Sequence, residues 1–178
     1  MLNSSRNPPW LSLRLLSLLP VIVSRFFFPD LFMPMPGTLG GAYGDGQEVR
    51  LSSLRGHTVV LYFYPKDDTP GCTTQACGLR DHYSAFVSKG ALVFGVSVDS
   101  PKSHSKFIAK HGLPFPLLSD ESREVVEAYG VWVEKSMYGK RYMGTERSTF
   151  VIAADGKIQS IHRKIQPAAH VETMLEVL

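Results

Sequence analysis

The sequence contains little cysteine, little net charge and no run rich in lysine or arginine. Its 178 residues include two cysteines, and its formal net charge is +3 at pH 7. Two cysteines without paired histidines do not supply the roughly four ligands of a structural zinc site, and the C-x-x-C motif of a thioredoxin-type relay is missing. The weak net charge gives no electrostatic footprint for nucleic-acid binding. What is present is the ordinary composition of a globular protein, with 44% hydrophobic and 20% charged residues.

The first 28 residues differ from the rest and are interpreted as a leader or upstream extension. They contain basic and hydroxyl residues and no acidic ones. Their apolar run from Leu15 to Val23 is broken by Pro20 and is too short to span a membrane. Three interpretations stay open: a signal or transit-like leader, a weak interfacial anchor, and an extension that is not made if translation begins at Met33. The expected location is the cytoplasm, with export or organelle targeting through residues 1–28 as the alternative.

Residues 29–178 have the length of one α/β domain. The segment Thr58 to Tyr64 is a continuous run of β-branched and aromatic residues, typical of a strand that is covered on both faces. A helix is predicted from Cys72 to Lys89, where Gly90 ends it, and Leu92 to Val98 is again strand-like. Strand, helix and strand predict a right-handed βαβ unit. The helical residues expected to face the core are Ala76, Leu79, Tyr83, Phe86 and Val87.

Capping and turn signals predict the remaining elements. Ser100 and Pro101 are typical of a helix N-cap and first turn, and that helix is expected to end at His111-Gly112. The segment Ser119-Asp120-Glu121 predicts another helix, which runs to Tyr129-Gly130. The other predicted elements are a hairpin in residues 134–147, strands at Ser148 to Ala153 and Lys157 to His162, and a last helix from Pro167 to Leu178. Together they predict a mixed sheet with helices on both faces.

Cys72 and Cys77 lie five residues apart at the start of the first predicted helix. A thiol there meets unpaired N–H groups and the positive end of the helix dipole, which both favour the thiolate, so Cys72 is a candidate nucleophile. On an intact helix the Cα atoms of residues i and i+5 are about 8 to 9 Å apart, whereas a disulfide needs less than about 7 Å. A bond between the two sulfur atoms therefore requires the first turns to unwind. Two reduced, buried thiols packed as small hydrophobes are the alternative.

The residues around these cysteines resemble the Q-type peroxiredoxins, also called the bacterioferritin comigratory protein family. The resemblance depends on the motif Pro65-x-x-x-Thr69-x-x-Cys72, on the longer run YPKDDTPGCTTQACGLRD, and on the downstream segment Glu146-Arg147-Ser148-Thr149-Phe150. It extends from about Asp45 to Leu178. Before Asp45 the chain departs from the compact A-P-x-F-x-L stretch of the family and has a glycine-rich insertion instead.

The resemblance implies a thioredoxin-like fold and thiol-dependent reduction of hydrogen peroxide and organic hydroperoxides, in antioxidant defence and cell redox homeostasis. It implies that Cys72 is the peroxidatic residue and that Cys77 is the resolving thiol found in one subgroup. Thr69 and Arg147 are implied as partners of Cys72, and Pro65 as a shield over its sulfur. Spacing alone does not place Arg147, and without the resemblance it is interpreted as a solvated charge at the entry to a strand. No cofactor and no metal ion is expected.

The expected cycle passes through a sulfenic acid on Cys72, which condenses with a nearby thiol. Cys77 is the only other thiol in the chain. The cycle then runs through local unwinding of residues 72–77, an intramolecular disulfide, and reduction by thioredoxin or a similar dithiol. Gly78 is expected to ease the unwinding, because glycine is a poor helix residue.

Two alternatives to this two-cysteine, monomeric peroxidase stay open. One is a one-cysteine peroxidase, in which Cys77 is idle and an external thiol resolves the sulfenate. The other is a redox sensor or holdase, in which oxidation unwinds the helix and exposes a surface for a partner. The histidines have no partner at a useful spacing and are interpreted as surface or core residues, not catalytic ones: His57, His82, His104, His111, His162 and His170.

Overall fold

The computed structural model describes residues 32–34 and 48–178. The predicted leader, residues 1–28, and the glycine-rich insertion lie outside the described residues. Within the described part of the chain, no helix is long and apolar enough to cross a membrane.

The chain alternates strands and helices. It begins with β1 (Phe32–Pro34), β2 (Glu48–Arg50), a 3-10 turn (Leu51–Leu54) and β3 (Thr58–Phe63). There follow α1 (Pro70–Asp81), α2 (Tyr83–Ser88), β4 (Ala91–Ser97), α3 (Pro101–His111), β5 (Leu117–Ser119) and α4 (Glu124–Ala128). The last elements are β6 (Trp132–Met137), β7 (Lys140–Thr145), β8 (Ser148–Ile152), β9 (Ile158–Arg163), a 3-10 turn (Pro167–Ala169) and α5 (His170–Val177).

The central sheet, formed within residues 58–163, has the strand order β5-β4-β3-β8-β9. Strand β3 pairs in parallel with β4 and antiparallel with β8, so the predicted mixed sheet and βαβ unit are confirmed. Successive residues of a strand point to opposite faces, and β3 is buried on both. Leu61 and Phe63 pack in a core with α4 on one face, whereas Val60 and Tyr62 pack in a core with α1, α3 and α5 on the other.

The helix predicted from Cys72 to Lys89 is two helices in the structure. It breaks at His82, whose backbone (φ −111°, ψ 13°) leaves the helical region and whose Nδ1 lies 3.0 Å from the carbonyl oxygen of Gly78. In the second helix Phe86 is buried, while Val87 is 54% exposed. The prediction that Val87 faces the core is therefore wrong.

The helix predicted to start at Ser119-Asp120-Glu121 begins only at Glu124, and it ends at Ala128 instead of Tyr129-Gly130. Ser119 is still in β5, where it pairs with Ser97. Asp120 nevertheless acts on that helix, because its Oδ2 accepts the backbone N–H of Val126 at 2.8 Å. The helix α3 agrees with its prediction, from the cap at Ser100 to Gly112, which has the left-handed φ of +59°.

The register of β3 and β8 positions the candidate site. Phe63, the last residue of β3, pairs with Ser148, the first residue of β8. The loop that leaves β3 and enters α1 therefore starts beside Arg147, which directly precedes β8. In this way the sheet brings together residues that are 75 positions apart in the sequence.

Candidate active site

Cys72 is the third residue of α1 and is almost completely buried, with 2% of its surface exposed. Its sulfur accepts a hydrogen bond from Nη2 of Arg147 at 3.3 Å. The N-cap of the helix is Thr69, and Pro70 occupies the first turn. The sulfur thus lies between a guanidinium and the positive end of a helix dipole, and both favour a sulfur anion.

Gln75 orients the guanidinium and was not predicted from the sequence. Its Oε1 accepts a short hydrogen bond from Nη1 of Arg147, while its Nε2 donates to Nδ1 of His170 at 2.9 Å. The side chain of Gln75 is fully buried. A polar residue one turn after Cys72, on the inward face that it shares with Ala76 and Leu79, is the sequence signal that could have found it.

His170 is a buried, neutral histidine that completes this chain of hydrogen bonds. Since the Gln75 amide donates to Nδ1, the ring proton is on Nε2, which donates to Oγ1 of Thr149 at 2.8 Å. Burial in the core, followed by the charges of Arg147 and His162, lowers the pKa of His170 to about 3. Its interpretation as a core residue agrees with the structure.

Thr69 and Pro65 lie in the loop between β3 and α1, and both are partly buried. The hydroxyl of Thr69 donates to the carbonyl oxygen of Lys66 at 3.0 Å, and its own carbonyl accepts the N–H of Thr73 at 2.8 Å. With its proton engaged, the hydroxyl can act toward a ligand only as an acceptor. The shielding role of Pro65 stays a prediction.

A second cation lies near the guanidinium. Lys135, on β6, donates from Nζ to the carbonyl oxygen of Thr145. Burial, and then the nearby charge of Arg147, lowers the pKa of Lys135. Glu146 accepts hydrogen bonds from Arg163 and from the hydroxyl of Ser148, at 3.2 and 3.1 Å. The site therefore carries more positive than negative charge while Cys72 is a thiol.

Tyr62, on β3, is a buried phenol close to this site. Its hydroxyl has no hydrogen-bond partner among the described residues. Burial, and then the charge of Cys72, raises the pKa of Tyr62 well above its ordinary value, so the phenol stays neutral. It contributes an apolar ring to the core next to α1.

Cys77 is partly buried, and both cysteines are free thiols. Its sulfur lies 3.8 Å from Nδ1 of His111, a contact with α3 that was not predicted. The five-residue spacing puts Cys77 about 140° around the helix from Cys72. The two thiols therefore have different partners, and they cannot bond until α1 opens.

Comparisons with known proteins find one family model and close relatives in bacteria. A family model described as AhpC/TSA family matches residues 28–161. A Bacillus subtilis protein named peroxiredoxin Bcp is 48% identical over 136 residues, which are 76% of this chain and 87% of the relative. The Escherichia coli peroxiredoxin Bcp is 46% identical over 134 residues, which are 75% of this chain and 86% of the relative.

Solved structures give the same result. One is a structure of the Xanthomonas campestris bacterioferritin comigratory protein, which is described with its alkyl peroxide reduction activity. Its TM-score with this protein is 0.74 at 40% sequence identity, and the match covers 82% of this chain and 88% of that one. The Mycobacterium tuberculosis protein BcpB is similar with a TM-score of 0.70 at 33% identity, over 84% of this chain and 91% of that one.

Proposed function

Because this chain belongs to the AhpC/TSA family, and within it to the Q-type peroxiredoxins, we propose that Cys72 is the residue that attacks the peroxide. The protein is a thiol-dependent peroxidase with a thioredoxin-like fold, and both predictions are confirmed. The observation that supports the assignment of Cys72 is the 3.3 Å contact between Nη2 of Arg147 and its buried sulfur.

In the first step, the Cys72 thiolate attacks the terminal oxygen of a hydroperoxide. A sulfur–oxygen bond forms, the O–O bond breaks, and the departing alkoxide or hydroxide takes a proton from water. Negative charge therefore moves from the sulfur to the departing oxygen. Nη2 of Arg147 has two hydrogens, so it can donate to the sulfur and to a peroxide oxygen at the same time.

Gln75 is a positioning residue in this step. Every donor in its network points the same way, from Arg147 to Gln75, from Gln75 to His170, and from His170 to Thr149. A reversal of the Gln75 amide would lose the hydrogen bond to Arg147, because a guanidinium cannot accept one. The guanidinium is thus held in place before the peroxide arrives, which is the condition for effective transition-state stabilisation.

Thr69 is proposed to orient the peroxide from the loop between β3 and α1. Its hydroxyl proton is held by the carbonyl of Lys66, so its lone pairs are free to accept the O–H of a hydroperoxide. This differs from a donor role, which would require the bond to Lys66 to break. Pro65, at the start of the same loop, is proposed to limit access of water to the sulfur.

Cys77 is proposed as the resolving thiol. The sulfenic acid on Cys72 condenses with it after the first turns of α1 unwind, and a thioredoxin-type dithiol reduces the disulfide. The same unwinding moves Gln75, so the guanidinium loses its partner once peroxide has been consumed. Since both cysteines lie on one helix, the cycle needs no second subunit, which supports the predicted monomer.

The test is peroxide-dependent oxidation of thioredoxin by the wild type, Cys72→Ser and Cys77→Ser, together with intact mass after one equivalent of peroxide. We expect the wild type to lose two hydrogens, Cys77→Ser to gain one oxygen, and Cys72→Ser to consume no peroxide. Peroxide consumption by Cys72→Ser would overturn the assignment. Undiminished turnover by Cys77→Ser would identify the one-cysteine peroxidase, and a wild type that oxidises but does not turn over would identify the sensor.

A further inference from the structure

Cys77, His111 and Asp68 lie next to one another where α1 faces the end of α3, with His111 between the other two. The sulfur of Cys77 lies 3.8 Å from Nδ1 of His111, and Nε2 of the same ring lies 3.2 Å from Oδ1 of Asp68. We propose that His111 is the base that deprotonates Cys77 for disulfide formation, and that Asp68 orients it. The proposal rests on the assignment of Cys77 as the resolving thiol.

Asp68 selects the ring tautomer that this role requires. An ionised carboxylate only accepts hydrogen bonds, so Nε2 of His111 must carry the proton, and Nδ1 presents its lone pair to the Cys77 sulfur. Lys110 donates to both oxygens of Asp68, at 2.8 and 2.6 Å. Lys110, followed by His111, keeps the pKa of Asp68 below its usual range, so the carboxylate is an anion throughout the neutral region.

The arrangement of a nucleophile, a base in contact with it and a third group that orients the base is the general design of an activated nucleophile. A sulfur–nitrogen distance of 3.8 Å is at the long end for a hydrogen bond. Catalytic hydrogen bonds are often long before the reacting group is in place, and they tighten in the reacting complex.

The step balances without a further redox partner. Nδ1 of His111 takes the proton of Cys77, and the thiolate attacks the sulfenic sulfur of Cys72. The sulfur–sulfur bond forms as the sulfur–oxygen bond breaks, and the leaving hydroxide takes the proton from His111 to become water. Cys77 is oxidised, the sulfenic sulfur is reduced, and the base is regenerated.

Arg80 keeps Cys77 next to this base. Its Nη1 donates to the carbonyl oxygen of His111 at 2.7 Å, which ties the second half of α1 to the end of α3. Asp81 chiefly, and then Cys77, raises the pKa of Arg80, so this cation also faces the sulfur that becomes a thiolate. The geometry therefore favours a movement in which the first turns open and Cys72 travels to Cys77, while Cys77 stays beside His111.

Asp68 is the anion that faces the His111 ring, and Lys110 and Arg80 are the cations nearby. His111 is also the last residue of α3, so it lies at the negative end of that helix. Phe107 contacts the ring edge-on, with the ring centroids 5.0 Å apart.

The experiment measures two steps of the cycle separately, sulfenate formation on Cys72 and disulfide formation with Cys77. The variants are His111→Asn and Asp68→Asn. Rapid mixing with hydrogen peroxide follows sulfenate formation, and trapping with dimedone followed by intact mass measures how fast the disulfide replaces it. The control is His57→Asn, because His57 is exposed and directly precedes β3, whereas the site lies beyond the other end of that strand.

We expect sulfenate formation to stay within about two-fold of the wild type in all three variants. Disulfide formation at pH 7 should fall by about 100-fold in His111→Asn, the size typical of a lost general base, and by a smaller factor in Asp68→Asn. The rate in His111→Asn should also rise more steeply with pH than in the wild type, since hydroxide then replaces the base.

Rescue distinguishes a base from a structural residue. Added imidazole should accelerate disulfide formation in His111→Gly, because it can occupy the vacated space, and should not affect His57→Gly. Equal disulfide rates in the wild type and the His111 variants, or a parallel loss in both steps without rescue, would overturn the inference. A wild type that forms no disulfide at all would instead overturn the assignment of Cys77.

Discussion

The side chains of Gln75 and His170 are fully buried and share a hydrogen bond of 2.9 Å, from Nε2 of Gln75 to Nδ1 of His170. The bond connects α1, which carries Cys72, to α5 at the other end of the chain. Since Gln75 also accepts from Arg147, the last helix fixes the group that contacts the Cys72 sulfur. The orientation of the guanidinium thus depends on the packing of α5.

This relationship predicts that Gln75→Met lowers peroxidase activity although Gln75 does not touch the peroxide. Methionine has a similar length, but its thioether sulfur is only a weak acceptor for Arg147 and cannot donate to His170. A hydrogen bond to a charged group is worth about 1.5 to 3 kcal/mol, so kcat/KM for hydrogen peroxide should fall by roughly 10- to 100-fold. Gln159→Met is the control, because Gln159 makes its hydrogen bond to Val177 at the surface. An unchanged kcat/KM in Gln75→Met would contradict the positioning role.

For Arg147→Ala we expect a larger loss of rate. The reaction of Cys72 with peroxide should slow much more than its reaction with other electrophiles. In the proposed mechanism the guanidinium stabilises the departing oxygen as well as the sulfur, and one such donor is typically worth about 3 to 4 kcal/mol. The rate with hydrogen peroxide should therefore drop by roughly 100- to 1,000-fold, whereas alkylation by iodoacetamide should slow by less than about ten-fold. Arg141→Ala is the control, since Arg141 is exposed and pairs with Glu134 on the β6–β7 hairpin. Equal losses with both reagents would mean that Arg147 acts only on the sulfur.

The sequence was sufficient for the local parts of the structure and of the site. The strand before Cys72, its place at a helix start and the caps of α3 are encoded by neighbouring residues. The spacing of the apolar residues does not indicate the break at His82, because the break involves a hydrogen bond between the His82 side chain and the backbone of Gly78. Arg147 depended on the family resemblance, since only the pairing of β3 with β8 brings it to Cys72.

The side-chain contacts of the site that the sequence did not predict are long-range. Gln75 and His170 are 95 residues apart, and Cys77 and His111 are 34 apart. Nothing in the spacing of a single histidine distinguishes a core residue from a base. The distinction comes from tertiary packing, which buries one ring against Thr149 and sets the other between a thiol and a carboxylate.

Gly95→Ala is predicted to destabilise the fold. A Cβ built at Gly95 would lie 2.5 Å from Cδ2 of Leu117 and 2.7 Å from the ring and hydroxyl of Tyr62, all in the core. Overpacking of this kind typically costs about 1 to 3 kcal/mol. Chemical unfolding measures it, with Gly144→Ala as the control, because there the nearest atom to a Cβ is 3.4 Å away. A stability of Gly95→Ala within about 0.5 kcal/mol of the control would show that Leu117 and Tyr62 can move aside without cost.

The buried, neutral state of His170 predicts a stability that falls with acidification. The pKa of His170 is about 3 in the folded protein, whereas an unperturbed histidine has about 6.5. As the pH falls below about 6.5, the unfolded chain takes up a proton that the folded chain does not, so the free energy of unfolding decreases. Between pH 7 and pH 5 this group alone should remove about 2 kcal/mol.

Urea unfolding of the wild type and of His170→Gln at pH 7, 6 and 5 tests this linkage. Glutamine keeps a donor for Thr149 but does not titrate, so the variant should lose about 2 kcal/mol less than the wild type over this range. The matching substitution at exposed His57 controls for the loss of a histidine as such. If His170→Gln loses stability as steeply as the wild type, the ring accepts its proton within the fold. The donor order from Arg147 through Gln75 to His170 would then hold only for the neutral ring and break on acidification, because a protonated Nδ1 cannot accept from the Gln75 amide.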